Sequence, residues 1–201
     1  MTVQHTLSKD DVLQIFEDCG ALLKGHFILS SGRHADTYLN KSIVSMYPDP
    51  TTHLCKALAA MIRERFGETP VAVVSPAMGA IIFGYEVARH LGCPFMFLER
   101  VGGEFTLRRG FQIPRGGKVI VVEDIVSTGL SSRESLAAIR KAGGIPLGLA
   151  CLIDRSGGKA DLSVPMLPLA TLEVESWPAN DLPKHLQDIP AVKPGSRGLK
   201  S

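Results

Sequence analysis

Lys118-Val-Ile-Val-Val-Glu-Asp-Ile-Val-Ser-Thr-Gly-Leu-Ser-Ser132 decides how this chain folds. Residues 119–122 are an apolar, β-branched run of the kind buried on both faces of a parallel sheet. Two adjacent carboxylates, Glu123 and Asp124, follow, and then a loop of small residues from Ser127 to Ser132. A helical pattern begins at once in Arg133-Glu-Ser-Leu-Ala-Ala-Ile-Arg-Lys-Ala-Gly-Gly144. A buried strand ending in acids, then a Gly/Ser/Thr loop opening a helix, suits a phosphorylated sugar. The acids accept hydrogen bonds from sugar hydroxyls, and the loop amides and hydroxyls cradle a phosphate at the positive end of the helix dipole. The same acids could instead cap the helix that follows.

Outward from this segment the chain alternates strand and helix. Apolar runs predict strands at 71–74, 95–98, 119–122, 146–153 and 169–174, with helices at 79–91 and 132–142 between them. This alternation predicts an α/β fold, a mostly parallel sheet flanked by helices, with ligands at the carboxyl ends of its strands. Ahead of it, Ser8-Lys-Asp-Asp11 reads as a helix N-cap with an acid three residues on, and Gly20 as the stop. Residues 26–40 read as two short strands joined around Ser31-Gly32-Arg33, and Pro50 sits near the start of a helix through Leu54, Leu58, Ile62 and Phe66. Two segments break the alternation. Residues 99–117 are Gly-rich, charged and long for a connection, which marks a functional lid. Residues 177–201 are rich in proline and basic residues and are expected to be loosely ordered.

With 201 residues, 45% hydrophobic and 21% charged, the chain can build one α/β domain with a proper core. A net charge of +2 with scattered basic residues, Arg108-Arg109 apart, gives no nucleic-acid signature. The four cysteines are far apart and form no CxxC pair, so they read as reduced core residues of a cytoplasmic protein. No signal peptide is expected, and no apolar run approaches the ~20 residues that span a bilayer.

Other chemistries find no support. Gly79-Ala-Ile-Ile-Phe-Gly84 has glycine spacing without the Gly-Lys-Ser/Thr ending of a P-loop, and there is no GxGxxG after a strand, no HExxH and no GxSxG. The six histidines are scattered. Ser75-Pro-Ala-Met-Gly79, between a strand and a helix, reads either as an ordinary turn or as a second anion loop with amides aimed at a phosphate.

The 118–132 pattern is similar to the phosphoribosyl-pyrophosphate (PRPP) motif of the type I phosphoribosyltransferases: four apolar residues, two acids, two apolar residues and a Ser-Thr-Gly loop. Two anion loops on neighbouring strands fit PRPP, which carries phosphates at both ends. Leu22-Leu-Lys-Gly-His-Phe-Ile-Leu-Ser-Ser-Gly-Arg-His-Ala-Asp-Thr-Tyr-Leu-Asn-Lys41 further resembles the start of orotate phosphoribosyltransferases, and Lys193-Pro-Gly-Ser-Arg197 the tail of one bacterial branch. The resemblance covers nearly the whole chain. It implies a single domain, with residues 1–50 as a hood over the base, 51–175 as the PRPP-binding core and 176–201 as a tail.

By matched position, the resemblance implies that Glu123 and Asp124 hold the ribose hydroxyls, and that Ser127, Thr128, Gly129, Leu130 and Ser131 hold the 5′-phosphate. Ala77, Met78 and Gly79 would lie along the pyrophosphate. Arg155 would meet the orotate carboxylate, with Ser127, Ser30 and Tyr38 also at the base. An arginine fork suits a planar carboxylate, although Arg155 also reads as a surface residue at a strand end. Arg100, Arg108 and Arg109 would act from the lid, the last two in catalysis. Magnesium would be held mainly by PRPP, with no direct protein ligand. Related enzymes are dimers whose lid reaches the partner's site, so the same is expected here. The chain departs from well-known members, which carry lysines in the lid and one in the pyrophosphate loop: it has no lysine between Lys56 and Lys118, and Ser30 stands where some members have a lysine. The implied reaction joins orotate to PRPP. A transferase for another base, or a PRPP-sensing regulator that does no chemistry, are the rival readings.

Overall fold

The run that decides the sequence reading lies in β6 (Lys118–Val126), the centre of a six-stranded sheet. The computed structural model describes residues 7–29 and 31–194. On one side β6 pairs in parallel with β3 (Ala72–Pro76), and on the other with β7 (Ile145–Asp154). β4 (Phe95–Val101) and β8 (Met166–Thr171) extend the parallel sheet outward, and β5 (Glu104–Leu107) closes one edge antiparallel to β4. Side chains alternate between two cores. Val73, Ile120 and Val122 pack with α1 (Lys9–Asp18), α3 (Pro48–Phe66) and α4 (Ile81–Leu91), through Phe16, Leu58 and Phe83. Val74, Val119 and Val121 pack on the other face with Leu136 and Ile139 of α5 (Leu130–Lys141). Burial on both faces is why these strands read as unbroken apolar runs. The expected fold class is thus the one observed.

At the N-terminus, Ser8 caps α1 as expected, its hydroxyl accepting from the Asp11 amide at 3.2 Å while the Asp11 carboxylate accepts from the Ser8 amide at 2.9 Å. β1 (Leu22–Ile28) and β2 (His34–Leu39) then form a separate antiparallel pair around the expected turn. The short α2 (Lys41–Val44) leads from it into α3. Val44 is fully buried, and its carbonyl accepts from Thr51 Oγ1 at 3.0 Å.

Three expectations need correction. β6 does not stop before the acids: its ladder with β7 continues past Glu123, opposite Cys151, to Val126. The 99–117 segment is not one long loop. β4 runs to Val101, Gly102 and Gly103 take φ of 59° and 90°, and β5 returns. Two consecutive positive φ values are what a tight hairpin turn requires, and glycines supply them. The third concerns the tail, whose described part, to residue 194, is held rather than loose. Trp177 exchanges backbone hydrogen bonds with His34, and Val192 bonds to Ile28 and His26. α6 (Lys184–Gln187) buries Leu186 in between. A lone two-stranded sheet is marginal in water, and here both of its edges are taken by the tail. His26 lies inside this junction, its Nδ1 2.7 Å from the Ile189 carbonyl and its Nε2 2.6 Å from His34 Nδ1.

Candidate functional site

The period of two along β6 sends its adjacent acids to opposite faces of the sheet. Glu123 turns toward α5, where Ser132 Oγ donates to its Oε1 at 3.3 Å. Asp124 turns toward the other face, where Lys41 Nζ is 2.6 Å from its Oδ2 and the Ile125 amide donates to its Oδ1 at 2.6 Å. The residues are only 5% and 2% exposed. Burial, then the charge of Asp124, lifts the Glu123 carboxyl to about 8, against the pull of Lys41 and Ser132. At neutral pH Glu123 is therefore favoured in its protonated form. Neither acid caps the next helix: α5 has Gly129 as its N-cap and no side-chain capping bond. The capping alternative falls away.

Two loops flank the acids. From β3, the turn through Ala77, Met78 and Gly79 runs back past Asp124, with a cis peptide between Ala77 and Met78. A Cβ on Gly79 would stand 2.3 Å from Asp124 Oδ2 and 3.2 Å from Lys41 Nζ. Only glycine lets this backbone pass so near the acid. From β6, Ser127, Thr128, Leu130 and Ser131 stand exposed around the first turn of α5. Backbone amides and hydroxyls at such a helix start form an anion cradle. Arg133 ties this loop to the next one, donating to the carbonyls of Thr128 and Asp161 at 3.2 and 3.4 Å.

Arg155 follows β7, and its amide donates to the Val126 carbonyl at 2.7 Å, which sets it beside the 127–131 loop. The residue is half-buried, and its Nε has no hydrogen-bond partner among the described residues. Burial lowers the guanidinium below the usual arginine range, with Tyr38 of β2 acting in the opposite sense. An arginine withdrawn from water without an acid beside it suits a carboxylate ligand. The reading of Arg155 as a mere surface residue does not fit this burial. Ser30 lies outside the described residues.

The lid arginines are engaged elsewhere. Arg109 forks onto Glu99, with Nε and Nη2 3.0 and 2.8 Å from the carboxylate oxygens, and stands 5.7 Å from the Phe97 ring centre. Arg100 bonds to Glu134 of α5 and to the Gly103 carbonyl at 2.6 Å, and covers Phe105 at 4.1 Å. Arg108 is exposed. Among the described residues, no hydrogen bond or ion pair joins these three arginines to the acids or to either loop. The structure thus gathers Glu123, Asp124, the two loops, Arg155 and Tyr38, and holds the lid arginines on the edge hairpin.

Over 194 residues, 96% of this chain and all of the relative, a protein of Phenylobacterium zucineum named orotate phosphoribosyltransferase is 56% identical. The chain belongs to the orotate phosphoribosyltransferase family. A family model described as a phosphoribosyl transferase domain matches residues 49–180. An orotate phosphoribosyltransferase of Caulobacter vibrioides is 54% identical over 194 residues, again 96% of this chain and all of the relative. Among solved structures, the orotate phosphoribosyltransferase from Aeropyrum pernix superposes with a TM-score of 0.69 at 24% identity, over 80% of this chain and 93% of that one, which speaks for the fold.

For this member of the orotate phosphoribosyltransferase family, sequence reasoning missed Lys41. It closes the 22–41 stretch without a role assigned to it there, and it lies far from Asp124 in the chain. The usable signal was indirect: with no lysine between Lys56 and Lys118, the pyrophosphate turn itself supplies no lysine for the acids.

Proposed function

We propose that the chain transfers the phosphoribosyl group of PRPP to orotate, giving orotidine 5′-monophosphate and pyrophosphate in de novo pyrimidine (UMP) biosynthesis. The observation that carries this reading is the half-buried, unpartnered Arg155 guanidinium, beside Tyr38 and next to the 127–131 cradle. It offers a planar carboxylate a fork at the end of the site where a base would lie, and relatives named orotate phosphoribosyltransferase match over 96% of the chain.

In this reading the ring nitrogen of orotate forms the bond to C1 of the ribose as the C1–O bond to pyrophosphate breaks. The electron pair of that bond leaves with the pyrophosphate, and no protein nucleophile takes part. Ser127, Thr128, Gly129, Leu130 and Ser131 hold the 5′-phosphate, and Ala77, Met78 and Gly79 line the pyrophosphate. Glu123 and Asp124 fix the ribose hydroxyls, and Asp124 places negative charge near the sugar as it becomes positive. A protonated Glu123 can donate to a hydroxyl where an ionised one can only accept. Residues 1–50 serve as the hood over the base, with Tyr38 facing it. Residues 51–175 are the PRPP core, and the tail from 176 straps the hood.

Magnesium fits as an ion carried in by PRPP. Among the described residues no group of three or more His, Cys, Asp or Glu is arranged to hold a metal; the Asp124 carboxylate and the Glu123 carboxyl would face the ribose hydroxyls and the ion's waters. Bound magnesium supplies charge neutralisation on the leaving pyrophosphate.

We read the active form as a homodimer in which Arg108 or Arg109 reaches the partner's site. Support comes from the exposed apolar side chains Ile82 and Tyr85 of α4. Among the described residues no helix is long and apolar enough to cross a membrane. All four cysteines are free thiols, which supports a cytoplasmic location.

The test is loss of PRPP in the presence of magnesium and each of several bases. Orotate-dependent release of pyrophosphate is expected. Release with a purine or another pyrimidine instead would favour the rival transferase, and PRPP binding without turnover of any base would favour the regulator.

A further inference from the structure

Lys41 joins three parts of the molecule. Its backbone opens α2, at the exit of the small N-terminal sheet, and is fixed by the buried Val44 just after it. Its ammonium lies 2.6 Å from the acid of β6. The same ammonium lies 3.2 Å from the point where a side chain on Gly79 would begin, so it also lies against the β3–α4 turn. The Lys41 side chain is 41% exposed and that of Asp124 2%, so the lysine lies between the acid and solvent. The arginines expected to serve the pyrophosphate are committed elsewhere: Arg109 to Glu99, and Arg100 to Glu134. The turn itself carries no lysine.

Two roles are compatible with this placement, and they have opposite consequences. A lysine that only neutralises Asp124 competes with the ribose for that carboxylate, so removing it tightens sugar binding. A lysine that changes partner gives up Asp124 to the hydroxyls and takes the pyrophosphate, so removing it weakens binding of any ligand that carries one. The second role fits the geometry better. The ammonium is already beside the turn, so a change of side-chain torsion suffices, and one charged contact replaces another, which limits the desolvation cost.

We propose that Lys41 is the pyrophosphate-binding cation of this site, held on Asp124 until PRPP arrives and transferred to the pyrophosphate beside Gly79 as Asp124 turns to the ribose. This rests on the phosphoribosyl-transfer reading and adds a substrate contact to it.

The experiment compares PRPP with ribose 5-phosphate, which lacks the pyrophosphate, by calorimetric titration with magnesium and without orotate. For Lys41→Gln, PRPP affinity should fall about ten- to a hundredfold, the loss of one hydrogen bond to a charged group. Ribose 5-phosphate should bind as before or more tightly. Lys41→Arg, which keeps the charge, should restore much of the PRPP affinity. Equal or tighter binding of both ligands to Lys41→Gln overturns the proposal and leaves Lys41 as a neutraliser of Asp124. Labelling of the wild-type protein by an amine-reactive reagent, read at Lys41 by mass spectrometry, gives a test that needs no folded variant. PRPP and pyrophosphate should protect Lys41, and ribose 5-phosphate should expose it. If all three change labelling alike, the proposal is wrong. A wild-type protein that binds no PRPP would refute the phosphoribosyl-transfer reading itself, whereas PRPP binding indifferent to Lys41 would refute only this assignment.

Discussion

The Asp124 carboxylate stands in the space that a side chain on Gly79 would enter, 2.3 Å from its ideal Cβ position. The β3–α4 turn and the β6 acid are therefore fitted to each other, and neither can move alone. Asp124 is buried and held by Lys41 and by the Ile125 amide, so it cannot swing aside cheaply. Gly79→Ala should displace the acid or the turn, with an overpacking cost of about 1–3 kcal/mol in stability. PRPP affinity should fall with it, while orotate affinity in the presence of saturating PRPP changes little. Denaturant unfolding and steady-state kinetics check both parts.

Asp124→Asn keeps the shape of the side chain but removes its charge. The fold should survive, because asparagine has the same shape as aspartate and the position lies near the carboxyl end of β6. Turnover should drop by about a hundredfold or more, as for loss of one preorganised electrostatic contact in a transition state. Turnover close to wild type in a steady-state assay would remove Asp124 from the reaction.

Arg155→Ala should weaken orotate by about 1.5–3 kcal/mol, the range for a charged hydrogen bond, and leave PRPP nearly unaffected. Arg155→Lys keeps the charge but not the fork, and should recover only part of the loss. If KM rises equally for both substrates, Arg155 supports the β7 end of the sheet instead of recognising the base.

The pH dependence of stability follows from Glu123. In the fold it keeps its proton up to about pH 8, while the unfolded chain gives it up near the ordinary carboxylate value of 4.5. Between those values the folded protein binds more protons than the unfolded one, so this group's contribution to stability falls as pH rises and levels off above about 8. Glu123→Gln cannot ionise and should lack that decline. Thermal melts of the two proteins should converge in acid and separate with rising pH, the variant being the more stable above about 8. Parallel curves would mean that Glu123 ionises normally in the fold.

The legible parts of this protein were those whose signal is local. Val119 to Val122 announced a buried strand through burial on both faces, and the Ser127 to Ser132 loop announced a helix start that binds anions. The acids and both loops could be placed together because strand-to-helix connections in such sheets share one end. The edge hairpin was readable in principle from Gly102-Gly103, but charged residues on both sides masked its alternation. The tail's attachment was not readable, since Trp177 and Val192 hold the small sheet through backbone bonds that leave no mark on side-chain type. The Lys41–Asp124 pair is purely tertiary, and so is the commitment of Arg109 to Glu99.

That last commitment bears on the proposed lid role of Arg109. Arg109 must leave Glu99, on its own chain, before it can meet a pyrophosphate, and the exchange is favourable only if the incoming anion carries more charge than the carboxylate it replaces. Pyrophosphate does. If the lid acts on the partner's site, a dimer of either variant with itself carries its one lesion in both sites, whereas pairing Asp124→Asn with Arg109→Ala places both lesions in the same site. A mixed dimer then holds one site with both lesions and one with neither. Each variant alone should be nearly inactive, and mixing them under conditions of verified subunit exchange should restore part of the activity. No recovery, with Arg109→Ala inactive by itself, would mean that Arg109 serves its own chain, reached by closing the 108–117 connection over the site rather than by crossing an interface.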